Sequence, residues 1–240
     1  MAEMAQLFAG TSGFAYPSWK PEFYPEKVPA KKFLEYYATQ LNAVEINYTF
    51  RRLPAAATLE GWVNVTPAGF LFICKAHQRI THIQRLKESD ALEVFFRAID
   101  PLRSARRLGP VLFQLPPNFK RDDELLRSFL RRLPGDIRCA FEFRNKSWLA
   151  DEVYRMLEEH RVALCQAESD KFEVPAVMTT DFVYARLRKS EYPEDERAEI
   201  AVRSREVLAG GRDVYVFFKH EETAAGAVYA RDLLERLRSA

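Results

Sequence analysis

The sequence lacks most of the features that would place it in a specialised class. Its three cysteines, Cys74, Cys139 and Cys165, stand far apart and form no C-x-x-C pair. An odd number of isolated thiols argues against a disulfide framework. No run of about 18 apolar residues is present, and crossing a bilayer requires one. The first residues show no basic stretch leading into an apolar segment, so no signal peptide is expected, and the chain reads as cytoplasmic with no membrane partner. An excess of one charge is missing too: 36 Lys and Arg against 34 Asp and Glu leave a net charge of +2. Proteins that bind nucleic acid concentrate basic charge on one face. The nearest approach here is Arg97, Arg103, Arg106 and Arg107, with Arg121, Arg127, Arg131 and Arg132 further on. These fall in helical segments and read as solvated helix faces ahead of a functional patch. No low-complexity tract, linker or composition shift divides the chain, so one domain over residues 1–240 is expected.

What is present is a good supply of core material, 48% hydrophobic and 13% aromatic. Apolar, β-rich runs occupy Leu7–Phe14, Ala43–Phe50, Phe70–His77, Pro110–Leu115, Arg138–Arg144, Val162–Ser169, Phe182–Arg188 and Val214–His220. Their spacing suits one strand, one crossover helix and two loops each. The intervening segments show the helical period. Phe33, Leu34, Tyr37, Ala38 and Leu41 form one stripe, and Leu92, Phe95, Phe96, Ile99 and Leu102 another. Leu125, Leu126, Phe129, Leu130 and Leu133 precede the stop signal Pro134-Gly135. Ser147 is the expected N-cap of the helix carrying Val153, Met156 and Leu157. Only the stretch from Lys171 to Thr180 is too short for a regular crossover helix. Strands alternating with helices imply a parallel sheet, and eight units imply the closed α/β architecture of a TIM (β/α)8 barrel with a degenerate helix after strand 6. An open dinucleotide-binding sheet is disfavoured, because Gly10 and Gly13 lead into Phe14-Ala15-Tyr16-Pro17 and lack the G-x-G-x-x-G spacing.

Successive side chains of a strand point to opposite faces. In the second strand Val44, Ile46 and Tyr48 share one face, which the helices should cover, leaving Glu45 and Asn47 inside. The same reasoning places Lys75, Gln114, Glu142, Arg144, Tyr184, Arg186 and Lys219 inside, and also Gln166 and Glu168. It leaves the three cysteines against the helices as small hydrophobes. The polar interior residues fall in the C-terminal halves of their strands, the end at which barrel enzymes carry their sites. Buried charge is costly unless paired. The cluster therefore reads either as a self-satisfied ion-pair network or as a ligand site that uses part of it.

These residues lie in an ordered series of motifs: GTSGF with Tyr16 and Trp19, Phe23-Tyr24-Pro25, VEIN with Thr49-Phe50, Lys75 with Ile80-Thr81-His82, LGPVLFQLPP from Leu108, EFR with Ser147-Trp148, DFVYAR from Asp181, and DVYVFF from Asp213. Along almost its whole length the chain resembles the YecE-like family, domain of unknown function 72. The resemblance implies a TIM barrel and supplies no reaction. Arg188-Lys189 and Lys219-His220 depart from the family pattern at the ends of the last two strands, and both departures are expected to add positive charge at the mouth.

The chemistry that fits this inventory is that of a metal-independent enzyme, hydrolase or lyase, acting on an anionic small molecule that bears phosphate or carboxylate, with no cofactor expected. Arg144 and Arg186 offer planar forks for an oxyanion, and Lys219 and Lys75 add point charges. Glu142 and Glu45 are the expected acid–base pair, provided their environments push their pKa values apart. Lys75 is alternatively a Schiff-base nucleophile, and Tyr184 a donor to a developing oxyanion. Asn47, Gln114, Trp19 and His82 are expected to orient the substrate. His77 and His82, five apart across a loop, lack the i, i+4 spacing of a zinc pair. The alternatives are a nucleic-acid or nucleotide module, stacking bases on Phe14, Tyr16, Trp19, Phe23 and Tyr24 beside Lys20, and a barrel without activity. Those aromatics otherwise read as a lid packed over the barrel mouth.

Overall fold

Each of the eight apolar runs folds into a strand, and every strand stops short of its run at one end or both. In the computed structural model, which describes residues 4–170, 172–220 and 222–238, the strands are β1 (Leu7–Thr11), β2 (Ala43–Ile46), β3 (Leu71–Cys74), β4 (Val111–Gln114), β5 (Cys139–Glu142), β6 (Ala163–Ser169), β7 (Phe182–Leu187) and β8 (Asp213–Phe218). β4 stops just before Pro116-Pro117, where the missing N–H groups end the ladder. β4, β5, β6, β7, β8 and β1 pair in parallel in that order, and β2 pairs with β3. Isolated bridges join the two sheets: Lys75 with Leu112 between β3 and β4, and Ser12 with Glu45 between β1 and β2. The wall thereby closes into the expected eight-stranded barrel. Closure brings β1 so near β2 that a Cβ on Gly10 would sit 1.9 Å from the Ala43 carbonyl oxygen, so only glycine fits there.

The helices are α1 (Phe33–Gln40), α2 (Tyr48–Arg51), α3 (Ala56–Asn64), α4 (Ala91–Ser104), α5 (Asp123–Leu130), α6 (Asp151–Glu159), α7 (Glu194–Ala209) and α8 (Ala225–Arg238). The predicted stripes are the faces they bury: Leu92, Phe95, Ile99 and Leu102 in α4, and Leu126, Phe129 and Leu130 in α5. Phe113, Phe129 and Phe141 meet between the wall and α5 at centroid distances of 5.2–5.9 Å. Each such fully buried side chain is worth about 1.5–3 kcal/mol over leaving it in water. Asp122 caps α5 by accepting from the Leu125 amide at 3.0 Å. Ser147 does not cap α6. It lies in a single 3-10 turn, Lys146–Trp148, capped by Asn145, and its hydroxyl is engaged by Asn145 Oδ1 at 2.8 Å and the Arg121 amide at 2.9 Å. None of the described helices is long and apolar enough to cross a membrane.

The crossover after β6 holds no helix among its described residues; Lys171, which opens it, lies outside them. Phe172–Glu173 instead folds back as a two-residue strand antiparallel to the end of β6. Thr179 fastens the returning chain, donating to the Val162 carbonyl at 2.6 Å and accepting from the Leu164 amide at 2.9 Å. This missing helix reverses the expected parity of β6. Cys165 pairs in register with Tyr184, and Ala167 with Arg186, so these small residues face the interior. Gln166 and Glu168 face outward, along a groove of about 100 Å³ bounded by α7. Polar side chains are tolerated outside here because they border this groove rather than a crossover helix of their own, and small side chains inside leave room for Arg186.

Candidate site at the barrel mouth

Arg186 is the hub of the mouth. It is 1% exposed, and its guanidinium joins two carboxylates that are themselves wholly buried. One end donates to Glu142 Oε2 and the other to Glu45 Oε1 at 2.6 Å, with a longer contact to the Ser12 hydroxyl at 3.3 Å. Strand parity explains the meeting: β2, β5 and β7 each point one long charged side chain inward near the same level. Glu45 also accepts from Ser12 at 2.7 Å and from the Tyr184 hydroxyl at 2.7 Å. Glu142 accepts from the Gln114 amide nitrogen at 2.7 Å and from Arg144 Nε at 3.1 Å, and pairs with Arg188 at 3.2 Å. Both carboxylates are thus saturated with donors, and charge-assisted bonds of this kind are the strong ones.

The electrostatics follow from these bonds. Burial opposes ionisation of Glu142, but Arg186, Arg188 and Arg144 outweigh it and hold the carboxyl well below the usual range. Burial likewise opposes ionisation of Glu45, and Arg186, Ser12 and Tyr184 together bring its pKa down. Both pKa values move in the same direction. That is the reverse of the arrangement in which one of two carboxyls is kept protonated as the acid. Burial, reinforced by the Glu45 charge, pushes the Tyr184 hydroxyl far up, so it remains a donor.

Above this floor lies a cleft of about 300 Å³ lined by Asn47, Phe50, Arg51, Lys75, Gln114, Arg144, Arg186 and Lys219. Among the described residues its charged lining is cationic. Lys75 reaches it beside the Phe50 ring, 4.2 Å from the centroid, and donates to Gln114 Oε1 at 2.9 Å. Burial and the neighbouring Arg186 charge push the Lys75 ammonium down to about 8.

The structure therefore brings together nine of the predicted residues and splits them into two layers. Asn47, Lys75, Gln114, Arg144, Arg186 and Lys219 line the cleft, whereas Glu45, Glu142 and Tyr184 lie beneath it. His82 sits at the rim, with its ring edge-on to Phe50 at 4.8 Å and its Nδ1 bonded to Thr81 at 2.8 Å. Burial and the nearby Lys75 and Arg144 charges lower its pKa. Trp19 does not reach the cleft. It is fully buried, packed between Tyr16 and Tyr24 at 4.9 and 6.0 Å, with Phe23 edge-on. Phe23 and Tyr24 are buried as well, so these three rings offer no face to a base. Glu168 and Gln166 are outside the barrel, as described. Of the four residues at the departures, Arg188 joins the floor and Lys219 lines the cleft. Lys189 turns away to Glu196 at 2.7 Å, and His220 packs against Tyr192 and Tyr229.

Sequence reasoning missed Ser12, Phe50 and Arg51, and it placed Arg188 at the mouth only as added positive charge, not as a partner of Glu142. Arg188 and Ser12 were within reach of parity, being two residues beyond Arg186 and two beyond Gly10 on the same faces. Phe50 and Arg51 were not, because α2 follows β2 directly and breaks the alternation. Among the described residues, no three His, Cys, Asp or Glu side chains gather as a donor set for a metal.

The family described as a protein of unknown function, DUF72, matches residues 8–240. The UPF0759 protein YunF of Bacillus subtilis is 34% identical over 138 residues, which are 55% of this chain and 49% of that protein. The matched chain thus spans about half the length of this curated relative. A DUF72 family protein from Thermotoga maritima has a TM-score of 0.87 at 28% identity, covering 97% of this chain and 99% of the other. One from Enterococcus faecalis has 0.77 at 19% identity, with 99% of both covered, a likeness of fold alone.

Proposed function

The chain belongs to the DUF72 family of proteins of unknown function, and from that premise we propose that its barrel mouth binds a small molecule bearing phosphate or carboxylate and acts on it without a metal. One observation carries the reading: among the described residues, the cleft is lined by Arg51, Lys75, Arg144, Arg186 and Lys219 and by no carboxylate. A polar pocket with an all-cationic lining of charges gains most from an anion. Arginine forks suit bidentate oxyanions, and the amides of Asn47 and Gln114 add orientation. Glu45 and Glu142 already give their oxygens to guanidinium, amide and hydroxyl donors, so they fit the role of holding the arginines in place better than that of metal ligands or acid–base groups. Reaction at such a site falls to Lys75. A base-stacking reading gains no support, since Trp19, Phe23 and Tyr24 are buried.

Calorimetric titration with orthophosphate at low ionic strength tests the proposal. Binding is expected, weakening as salt rises, and Arg144→Ala and Lys219→Ala should each weaken it about tenfold, the ~1.4 kcal/mol of one charge-assisted contact. Absence of binding, or binding untouched by both substitutions, overturns it.

A further inference from the structure

Lys75 differs from the other cations of the cleft in what its nitrogen touches. Among the described residues it has no ion pair with a carboxylate. Its contacts are the Gln114 amide oxygen at 2.9 Å and the face of Phe50. Gln114 is itself fixed, because its amide nitrogen donates to Glu142 at 2.7 Å, so the oxygen must be the end that faces Lys75. A neutral acceptor of this kind accepts an N–H from an amine as well as from an ammonium, the amine's bond being the weaker. Loss of the proton gives up the charge–ring attraction to Phe50 but leaves no ion pair broken: the amine still donates to Gln114 and keeps its lone pair for the cleft. The surroundings also favour that loss. Burial disfavours the charge first, then the Arg186 charge and, least, that of Arg144, against the opposing pull of Glu45 and Glu142. His82, at the rim, is held towards its neutral form by burial and by the same cations. With the Lys75 pKa near 8, about a tenth of the chains carry a free amine at pH 7, against roughly one in a few thousand for an ordinary lysine. Desolvation among other cations is a recognised way of making a lysine nucleophilic.

We propose that Lys75 is an imine-forming lysine and that the molecule held in the cleft is a small anionic carbonyl compound, an oxo acid or a phosphorylated ketone or aldehyde. This rests on the anion-binding reading above and adds the reacting group. The Lys75 lone pair forms a bond to the carbonyl carbon while the carbonyl π pair moves to oxygen, which takes the proton that nitrogen sheds. The carbon–oxygen bond of this carbinolamine then breaks, and the oxygen leaves as water with the second nitrogen proton. The nitrogen pair closes the C=N bond. Amine and carbonyl become imine and water, and nothing is oxidised or reduced. The arginines of the cleft receive the carboxylate or phosphate and so bring the carbonyl to the nitrogen.

Trapping by reduction tests this on the full chain. Pyruvate, dihydroxyacetone phosphate and, as a neutral control, acetone are each incubated with the protein and sodium cyanoborohydride, and the adduct is located by peptide mass mapping. One secondary-amine adduct at Lys75 is expected with an anionic carbonyl, formed at least tenfold faster than with acetone and suppressed by orthophosphate. Labelling by pyruvate alone assigns the oxo acid, and labelling by dihydroxyacetone phosphate alone assigns the phosphorylated ketone. Lys75→Arg should abolish the adduct. Protection of the wild-type chain by orthophosphate gives the same information should that variant not fold. Orthophosphate binding with no adduct at Lys75, or adducts spread evenly over surface lysines, overturns the inference and leaves the anion site standing. Absence of both adduct and orthophosphate binding overturns the two together.

Discussion

The floor of the barrel mouth and the cleft directly above it use the same residue types to opposite effect. In the floor, Glu45 and Glu142 are matched by Arg186, Arg188, Arg144, Ser12, Gln114 and Tyr184, and every carboxylate oxygen has a donor. In the cleft, the described charged lining residues are Arg51, Lys75, Arg144, Arg186 and Lys219, with no acid among them. A charge buried with its partners stabilises and orients but has nothing left to offer a ligand. A charge that projects past its partners can offer itself. Arg186 and Arg144 belong to both regions, and this couples them: the carboxylates below fix the guanidiniums, and so preorganise the anion site above.

The comparison can be broken most forcefully from below. Glu142→Gln removes the charge that Arg186, Arg188 and Arg144 share, and leaving buried cations uncompensated should cost about 3–5 kcal/mol in chemical denaturation. Unchanged stability would mean that the floor is not a closed network. Tyr184→Phe should cost less, about 1.5–3 kcal/mol, the worth of one buried hydrogen bond to a charged group. It should leave orthophosphate affinity within about twofold, corresponding to ~0.4 kcal/mol. A larger loss of affinity would assign Tyr184 to the cleft.

The pH dependence of stability sharpens the same contrast. Glu45 and Glu142 have folded pKa values below the unfolded value of about 4.3. The unfolded chain therefore binds more protons in that window. Their contribution is complete above about pH 4.3 and is lost as pH falls through the folded values. Lys75 runs the other way. Its folded pKa of about 8 lies below the unfolded ~10.4, so the penalty of its buried charge is full below pH 8 and stability is recovered as pH rises between the two. Denaturation across pH should show a steep acid limb that Glu142→Gln flattens, and a shallow alkaline gain that Lys75→Met removes.

The strands and their order were legible, because a buried strand needs a continuous apolar run and a crossover helix needs its stripe. α3 and α7 were exceptions: α3 buries only Leu59, and α7 only Ile200, Ala201 and Ser204, too little for a stripe to stand out. The inward set Glu45, Gln114, Glu142 and Arg186 was legible as well, since its strand neighbours are unmistakably apolar. β6 was misread for a definite reason: Gln166 and Glu168 were placed inside on the assumption that a crossover helix packs on the outer face, and the described residues of that crossover form none. Trp19 failed for a related reason. It lies in a loop rich in exposed residues, and only the packing of Tyr16, Phe23 and Tyr24 around it shows that it is interior.

The sequence by itself determined the eight-unit barrel and, on most strands, which side chains turn inward, because alternation and helical period are local properties of the chain. Only the tertiary structure decided which of those side chains are neutralised and which remain available. That depends on where residues far apart in sequence come level across the barrel, as Glu45 and Arg186 do, 141 positions apart. It also depends on how far each reaches. Glu142, the strongest catalytic candidate by sequence, stops below the floor under its own cations, while Lys75 passes the floor and faces the cleft.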